Sequence, residues 1–316
     1  MPRPRKCLIN LADTSYYHCV SRCVRRAFLC GKDKLTGKCY EHRRQWVEDR
    51  ILLLAEIFCV DVCAYAVMNN HTHLVLRINK VKADALSVDE IIHRWRKLYK
   101  GVLLIQRYSD PCQREVLSEA EIATVKSIAE VYRHRLYDIS WFMRLLNEYI
   151  ARLANKEDDC TGHFWEGRFK SQALLDETAL AACMAYVDLN PVRAQLADTI
   201  EKSSHTSICK RIRAARVKRQ PTQLLPFADK LKNTRSDGLP FQLEDYFALV
   251  ESTCRHFRPK KRDKIDDTVS PILTRVGLEH TDWHAIVSGI ETEFRTNVSH
   301  EDFIRNRNKQ RTYNSV

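Results

Sequence analysis

The sequence predicts an α+β protein, because short segments suited to β-strands are interspersed with longer segments of helical periodicity. Two apolar runs, residues 60–68 and 71–78, flank Asn69-Asn70. Asparagine tolerates the left-handed backbone of tight hairpins, so this arrangement predicts a pair of antiparallel strands. In residues 41–58, apolar side chains recur at the spacing of one helix face, which predicts a helix directly before that pair.

Two further strands are predicted before and after this unit. Residues 15–21 are rich in aromatic and β-branched residues, which favour strands. Residues 163–175 mix aromatic and basic residues and are predicted to return to the sheet.

The remaining segments predict helices, and some of their ends carry recognisable capping residues. Ser87 with Glu90 is a capping-box pattern that opens a predicted helix to about residue 106, with a loop over 107–117. Asp176 is the predicted N-cap of a helix that ends at Asn190-Pro191, since proline restricts the residue before it. Helical spacing predicts four others: 118–134, 139–155, 243–257 and 282–294.

The composition favours a polyanionic partner. The 316 residues include 52 Lys and Arg against 40 Asp and Glu, a net charge of +12. Nucleic acid is the commonest partner of such a surface, although a generic basic surface is the alternative.

Several classes of protein lose support from the same composition. Twelve cysteines include no C-x-x-C pair, so they are expected to be reduced core residues rather than zinc ligands or disulfides. The eight glycines form no phosphate-binding loop. No secretory signal opens the chain, and no run approaches the roughly 20 apolar residues of a membrane span. We therefore expect a cytoplasmic protein without membrane segments.

Two histidines at the start of the second hairpin strand are candidate metal ligands. His71 and His73 are two residues apart, so on a strand their side chains lie on one face. That spacing suits two imidazoles on one metal ion, although two polar residues on a half-exposed strand would give the same pattern.

A second pair lies on the predicted helix after residue 176. Tyr186 and Asn190 are four residues apart and therefore share a helix face. The tyrosine offers a phenolic nucleophile, and the asparagine offers an amide oxygen acceptable to Mg²⁺ or Mn²⁺. With His71 and His73 they would form a Lewis-acid site able to polarise a phosphodiester.

These motifs resemble those of the single-tyrosine transposases of the IS200-like type, in the HUH endonuclease superfamily, including the REP-associated branch. The resemblance covers residues 8–198 and is carried by four segments in order. They are Tyr17-His-Cys-Val-Ser-Arg22, Val67-Met-Asn-Asn-His-Thr-His-Leu74, Gly162-His-Phe-Trp-Glu-Gly-Arg-Phe-Lys-Ser171 and Tyr186-Val-Asp-Leu-Asn190-Pro-Val-Arg-Ala194. The chain departs at Thr72, where the superfamily prefers a bulky apolar residue, and in a helical stretch, 107–157, that compact members lack.

The resemblance implies a ferredoxin-like domain over residues 1–200, with a central antiparallel sheet and flanking helices. It implies cleavage and joining of single-stranded or hairpin DNA through a 5′-phosphotyrosine, with Mg²⁺ or Mn²⁺, by a homodimer. Carried over by position, Tyr186 is the nucleophile and His71, His73 and Asn190 hold the metal. Candidate DNA contacts are Arg22, Arg168, Lys170 and Arg193; for Arg168 and Lys170 a solvated strand face is equally compatible with the sequence.

Aromatic and histidine residues near the motifs have competing interpretations. Phe164 and Trp165 could stack on unpaired bases, but we expect core packing. His18 and His163 are expected to pack or form hydrogen bonds rather than bind metal.

Two other functions remain open from the sequence. A domesticated relative would bind hairpin DNA or RNA without cutting it, yet binding needs none of the four site residues. A metal-dependent phosphoesterase of small substrates fits less well, because the net charge and the basic clusters favour a polymer.

Residues 201–316 predict a basic, mainly helical accessory region that binds DNA and lies outside the active site. The region holds 22 Lys and Arg against 15 Asp and Glu, which is +7 of the net +12. Its basic clusters lie at 210–219 and 258–264; a solvated linker beside a small helical bundle is the alternative. Truncation after about residue 200 is expected to leave some cleavage dependent on Tyr186.

Overall fold

The computed structural model describes residues 8–24, 28–33, 36–228, 237–257, 270–291, 294, 297–302 and 304–305. They form a five-stranded mixed sheet flanked by helices, with several helices towards the C-terminus, so the α+β prediction is confirmed. The strands are β1 (Tyr16–Arg22), β2 (Val60–Val67), β3 (His71–Ile78), β4 (Lys170–Leu174) and β5 (Asn297–Val298).

Twelve helices are assigned within these ranges. In chain order they are α1 (Arg43–Ile57), α2 (Lys80–Asp84), α3 (Val88–Arg96), α4 (Leu103–Ser109), α5 (Pro111–Arg114), α6 (Glu119–Leu136), α7 (Ile139–Glu157), α8 (Glu177–Arg193), α9 (Ser207–Ala215), α10 (Leu243–His256), α11 (Pro271–Val276) and α12 (His280–Gly289). None of those that the structure describes combines the length and the apolar character needed to cross a membrane.

The strand order β2-β3-β1-β4-β5 places the first and third strands at the centre of the sheet. β3 lies between β1 and β2 and runs antiparallel to both, and β4 runs antiparallel to β1. This is the split β-α-β arrangement of a ferredoxin-like sheet. β5 adds a short parallel edge to β4, so the sheet is mixed rather than purely antiparallel.

The two faces of the sheet are covered by different helices. One face packs on α1 and α7 through residues such as Tyr17, Cys19 and Leu74. The other face packs on α8, which lies across β2, β3 and β4. Helix α8 is buried along almost its whole length, as its Ala-rich apolar sequence requires.

Three predicted boundaries are wrong for identifiable reasons. The helix predicted from Ser87 to residue 106 divides into α3 and α4 because Gly101 adopts a left-handed backbone, φ +77°. The loop predicted over 107–117 contains the end of α4 and all of α5. Helix α8 runs past Asn190 to Arg193 with Pro191 inside its last turn, at the cost of the hydrogen bond that an N–H at this position would donate to the carbonyl of Val187.

The hairpin between β2 and β3 is confirmed, but its connection differs from the predicted tight turn. Neither Asn69 nor Asn70 has a positive φ. Instead the loop is held by other parts of the chain: the backbone N–H groups of Cys30 and Cys23 donate to the carbonyls of Asn69 and Asn70, both at 2.9 Å. Tertiary hydrogen bonds therefore replace the left-handed turn.

The region after residue 200 shares a hydrophobic core with α8. Tyr246 and Leu249 of α10 and Trp283 of α12 belong to the same buried cluster as Met184 of α8. The helical stretch 107–157 also contributes to the fold in two separate parts. Helix α7 packs on α1, whereas α6 packs on α3 and α4.

Candidate active site

The candidate site is built on the sheet face that α8 covers. Strand pairing sets Arg22 of β1 opposite His71 and Val20 opposite His73, so both histidines share this face with alternate residues of β1. The rings of His71 and His73 have centroids 4.7 Å apart. The predicted shared face of the two histidines is therefore confirmed.

Helix α8 brings Tyr186 and Asn190 onto the same face. The Tyr186 ring lies with its centroid 5.5 Å from that of His73. The Asn190 amide nitrogen, Nδ2, lies 3.1 Å from His73 Nε2. The Asn190 side chain is also close enough to the Tyr186 hydroxyl to lower the pKa of the phenol. Residues separated by more than a hundred positions thus meet in one place.

Both histidines are neutral near pH 7. Burial, and then the charge of Arg22, lower the pKa of His71 to about 4. Burial lowers the pKa of His73 well below its usual value, and the neighbouring imidazoles of His18 and His71 add to this effect. Neutral imidazole is the form that binds a metal ion.

Tyr186 is almost buried, with 5% of its surface exposed. Burial raises the pKa of its phenol, and the negative charge of Glu291 raises it further. The guanidinium of Arg193, which lies 4.7 Å from the ring centroid, acts in the opposite direction. The phenol therefore carries its proton at neutral pH.

Glu291 is a site residue that the sequence interpretation missed. Its carboxylate lies close enough to the Tyr186 hydroxyl to raise the pKa of the phenol, and its Oε1 lies 3.7 Å from His73 Nδ1. The second distance is too long for a hydrogen bond. Glu291 comes from residues 201–316, so the prediction that this region lies outside the active site is wrong. No motif surrounds it in the sequence; packing of α12 against α8 places it there.

His18 forms hydrogen bonds, as expected, but with site residues. Its Nδ1 is 2.8 Å from Gln172 Oε1, and its Nε2 is 3.0 Å from His73 Nδ1. Phe164 is buried in the core under α1 and α7, and Trp165 is partly buried against it, which confirms the packing role of both side chains. His163 is exposed.

A divalent ion would find two imidazoles and an amide here. Among the described residues, no three His, Cys, Asp or Glu side chains are grouped as a metal site. His71 Nδ1 hydrogen-bonds to Asn70 Oδ1 at 2.7 Å, and His73 Nδ1 to His18, which leaves Nε2 of each ring as the coordinating atom. Ring nitrogens held in this way are typical of metal-binding histidines. His71 and His73 therefore offer two nitrogen ligands that fit a divalent cation, and Asn190 would complete the set by turning its amide so that the oxygen replaces Nδ2 beside His73 Nε2.

A cleft of about 430 Å³ opens beside the site. Arg22, Arg168 and Lys170 line it, together with His18 and Glu291. All three basic side chains are exposed. Three of the four candidate DNA contacts therefore line one cleft, together with His18 and Glu291, whereas Tyr186, His71, His73 and Asn190 do not line it. Arg193 does not line it; its guanidinium lies on the Tyr186 and Phe257 rings.

Not every basic side chain of the cluster at 210–219 is exposed. Arg211 is buried and donates hydrogen bonds to the carbonyls of Cys63 and Leu225, both at 2.9 Å. It therefore holds α9 to β2, while Arg213, Arg216, Lys218 and Arg219 are exposed. The second cluster, 258–264, lies outside the described residues.

No protein-family model matches the chain, and no curated protein matches it. Among solved structures, a REP-associated tyrosine transposase bound to a REP hairpin is similar over 77% of this chain and 99% of its own, with 12% sequence identity and a TM-score of 0.39. A similarity this weak carries no argument, so the functional interpretation depends on the geometry of the site.

Proposed function

We propose that this protein cleaves and rejoins single-stranded or hairpin DNA through a covalent bond between Tyr186 and a 5′-phosphate. In this proposal His71, His73 and Asn190 hold Mg²⁺ or Mn²⁺, and the basic cleft holds the DNA backbone. The protein would then be a DNA endonuclease of the transposase type.

One observation carries the proposal. Tyr186 lies beside the neutral His73 on the face that also carries His71 and Asn190, and a cleft lined by Arg22, Arg168 and Lys170 reaches their neighbours His18 and Glu291. A packing tyrosine requires neither the paired imidazoles nor the basic cleft. A nucleophile for a phosphodiester requires an activated phosphorus and cations that position the phosphates; the histidines would hold the metal that activates the phosphorus, and the cleft supplies the cations.

The reaction follows from the roles of these groups. The bound divalent ion would supply Lewis-acid polarisation of the scissile phosphate. The Tyr186 oxygen forms the bond to phosphorus, and the bond from phosphorus to the 3′ oxygen breaks, releasing a 3′ hydroxyl once that oxygen is protonated. Because the Glu291 carboxylate lies close enough to the Tyr186 hydroxyl to raise the pKa of the phenol, it is the acceptor for the phenolic proton in this proposal. Because the phosphotyrosine conserves the phosphodiester, a second 3′ hydroxyl can reverse the step and join strands.

The test is formation of a covalent protein–DNA adduct. Single-stranded oligonucleotides from both flanks of the protein's own gene are incubated with the protein and Mn²⁺, then separated on a denaturing gel. Tyr186→Phe should abolish the adduct and leave DNA binding largely intact, because it removes only the nucleophilic oxygen. Tyr16→Phe is the matched control, since Tyr16 lies on the same sheet face, and it should keep the adduct. Adduct formation by the Tyr186 variant would contradict the assignment.

Binding without cleavage is the second candidate function. The observation that favours it is the burial of Tyr186, which has 5% of its surface exposed and lies under Arg193. Tight, saturable binding of hairpin DNA with no adduct under any divalent ion would support this alternative.

A further inference from the structure

A chain of buried hydrogen bonds leads from the C-terminal region to the candidate metal ligands. It begins at Gln172 of β4, whose Nε2 donates to the carbonyls of Ile290 (3.1 Å) and Phe294. Two carbonyl acceptors fix the orientation of the amide, because its oxygen cannot face them. Gln172 Oε1 must therefore face His18.

The orientation of Gln172 determines where His18 carries its proton. Gln172 Oε1 is an acceptor, so His18 Nδ1, at 2.8 Å, must donate. His18 is fully buried, and its two nitrogens bond to an amide and an imidazole, so it holds a single proton. His18 Nε2 is consequently an acceptor.

The same reasoning determines the tautomer of His73. His18 Nε2 accepts, so His73 Nδ1, at 3.0 Å with the two rings inclined by only 12°, must donate. The remaining nitrogen, His73 Nε2, is then unprotonated and carries the lone pair. The observed contact agrees, because the group facing it at 3.1 Å is the donating Nδ2 of Asn190.

We infer that Gln172 and His18 are positioning residues that hold His73 in the Nδ1–H tautomer, with the Nε2 lone pair aimed at Asn190 and Tyr186. The inference rests on the proposed function in one respect, namely that this lone pair serves a divalent metal. Because the chain is anchored on Ile290 and Phe294, the segment that carries Glu291 also holds the tautomer of His73.

The direct test is the tautomer itself. Long-range ¹H–¹⁵N correlation spectra of the full chain with labelled histidines, without metal, should show His73 protonated at Nδ1 and unprotonated at Nε2. In His18→Leu the acceptor is lost and the two tautomers should be mixed. His73 protonated at Nε2 in the wild type, or an unchanged spectrum in His18→Leu, would overturn the inference.

Metal affinity supplies a second readout, because a group that fixes a ligand typically changes affinity about 10- to 100-fold. Mn²⁺ binding, measured by calorimetry without DNA, should weaken by about that factor in His18→Leu and in Gln172→Leu. His18→Gln should recover most of the affinity, since its amide oxygen can take the place of Nε2 as acceptor. His163→Leu, at an exposed histidine, is the matched control.

Thermal unfolding separates positioning from structural damage. The affinities of His18→Leu and His18→Gln should differ more than their melting temperatures do; equal losses of affinity and stability in both variants would overturn the positioning role. Failure of the proposed function looks different. Suppose that the wild type forms no adduct but His73 is in the Nδ1–H tautomer and this tautomer depends on His18. The positioning role is then supported, and the proposed reaction is contradicted.

Discussion

The arrangement around Tyr186 places opposite charges on the two sides of one phenol. Arg193 lies over the ring at 4.7 Å, and the Glu291 carboxylate lies close to the hydroxyl. The carboxylate stabilises the protonated phenol in the resting state, whereas the guanidinium favours the phenolate. A nucleophile that must lose its proton only when DNA is bound needs both influences.

Replacing Glu291 should therefore slow the chemistry. We expect Glu291→Gln to reduce the rate of adduct formation by about 10²- to 10⁴-fold, the usual contribution of a proton acceptor. Single-turnover measurements at saturating DNA isolate this step. Glu166→Gln is the control, because Glu166 lines the same cleft without contacting Tyr186 and removes the same charge. Equal rates for the two variants would show that Glu291 acts only through the net charge of the cleft.

The cleft residues should govern binding rather than cleavage. Each phosphate contact releases counterions, so Arg22→Gln, Arg168→Gln and Lys170→Gln should each lower the slope of log affinity against log salt by about 0.7 for single strands. Fluorescence anisotropy with a labelled oligonucleotide at several salt concentrations measures this slope. Lys126→Gln, on α6 and outside the cleft, should leave it unchanged. If the three variants have the same salt slope as Lys126→Gln, the DNA does not bind in this cleft.

At the scale of elements, α8 is held to α9 and α10 by one buried carboxylate. Asp188 Oδ1 accepts hydrogen bonds from Ser207 Oγ (2.5 Å) and the Ile208 backbone N–H (3.0 Å), and its Oδ2 accepts one from the Tyr246 hydroxyl (2.6 Å). Burial raises the pKa of Asp188 to about 6, although these hydrogen bonds oppose the shift. The helix carrying Tyr186 is thus joined to the C-terminal region by a group that titrates near neutrality.

This carboxylate should make stability depend on pH. A folded-state pKa above the unfolded value contributes stability that is complete below about pH 3.8 and is lost as the pH rises to about 6. Relative to Asp188→Asn, the wild type should lose up to about 3 kcal/mol of unfolding free energy over that interval. Urea unfolding of both proteins between pH 4 and 7 measures the difference. If the unfolding free energies of the two proteins change equally with pH, Asp188 has an ordinary pKa.

On the scale of the whole molecule, the two faces of the sheet support different tasks. The face under α1 and α7 is packed by apolar side chains alone over most of its area, whereas the face under α8 combines a core with the site. The C-terminal helices complete that second core and deliver Glu291 to the site. The region after residue 200 is therefore part of the unit that forms the candidate site.

Truncation after residue 200 should consequently prevent folding, contrary to the expectation from the sequence. It would expose the side of α8 that packs on Tyr246, Leu249 and Trp283. Each such side chain contributes about 1.5–3 kcal/mol by burial, and the loss of many exceeds the 5–15 kcal/mol that stabilises a typical protein. Circular dichroism and size-exclusion chromatography of residues 1–200 test this. A soluble fragment with a cooperative melting transition would contradict it.

The sequence by itself determined the local elements and the site residues that lie within them. Alternation placed His71 and His73 on one strand face, and helical spacing placed Tyr186 beside Asn190, because both periodicities are properties of the backbone. The capping box at Ser87 and the N-cap at Asp176 were predictable for the same reason, since their hydrogen bonds close within four residues.

Only the tertiary structure decided which distant residues join them. His18 and Gln172 meet His73 because strand register aligns β1 with both neighbours, and Glu291 arrives because apolar packing seats α12 against α8. Long-range contacts depend on how whole faces pack, and neither periodicity nor spacing in the chain encodes which polar side chain will be brought to a site by that packing.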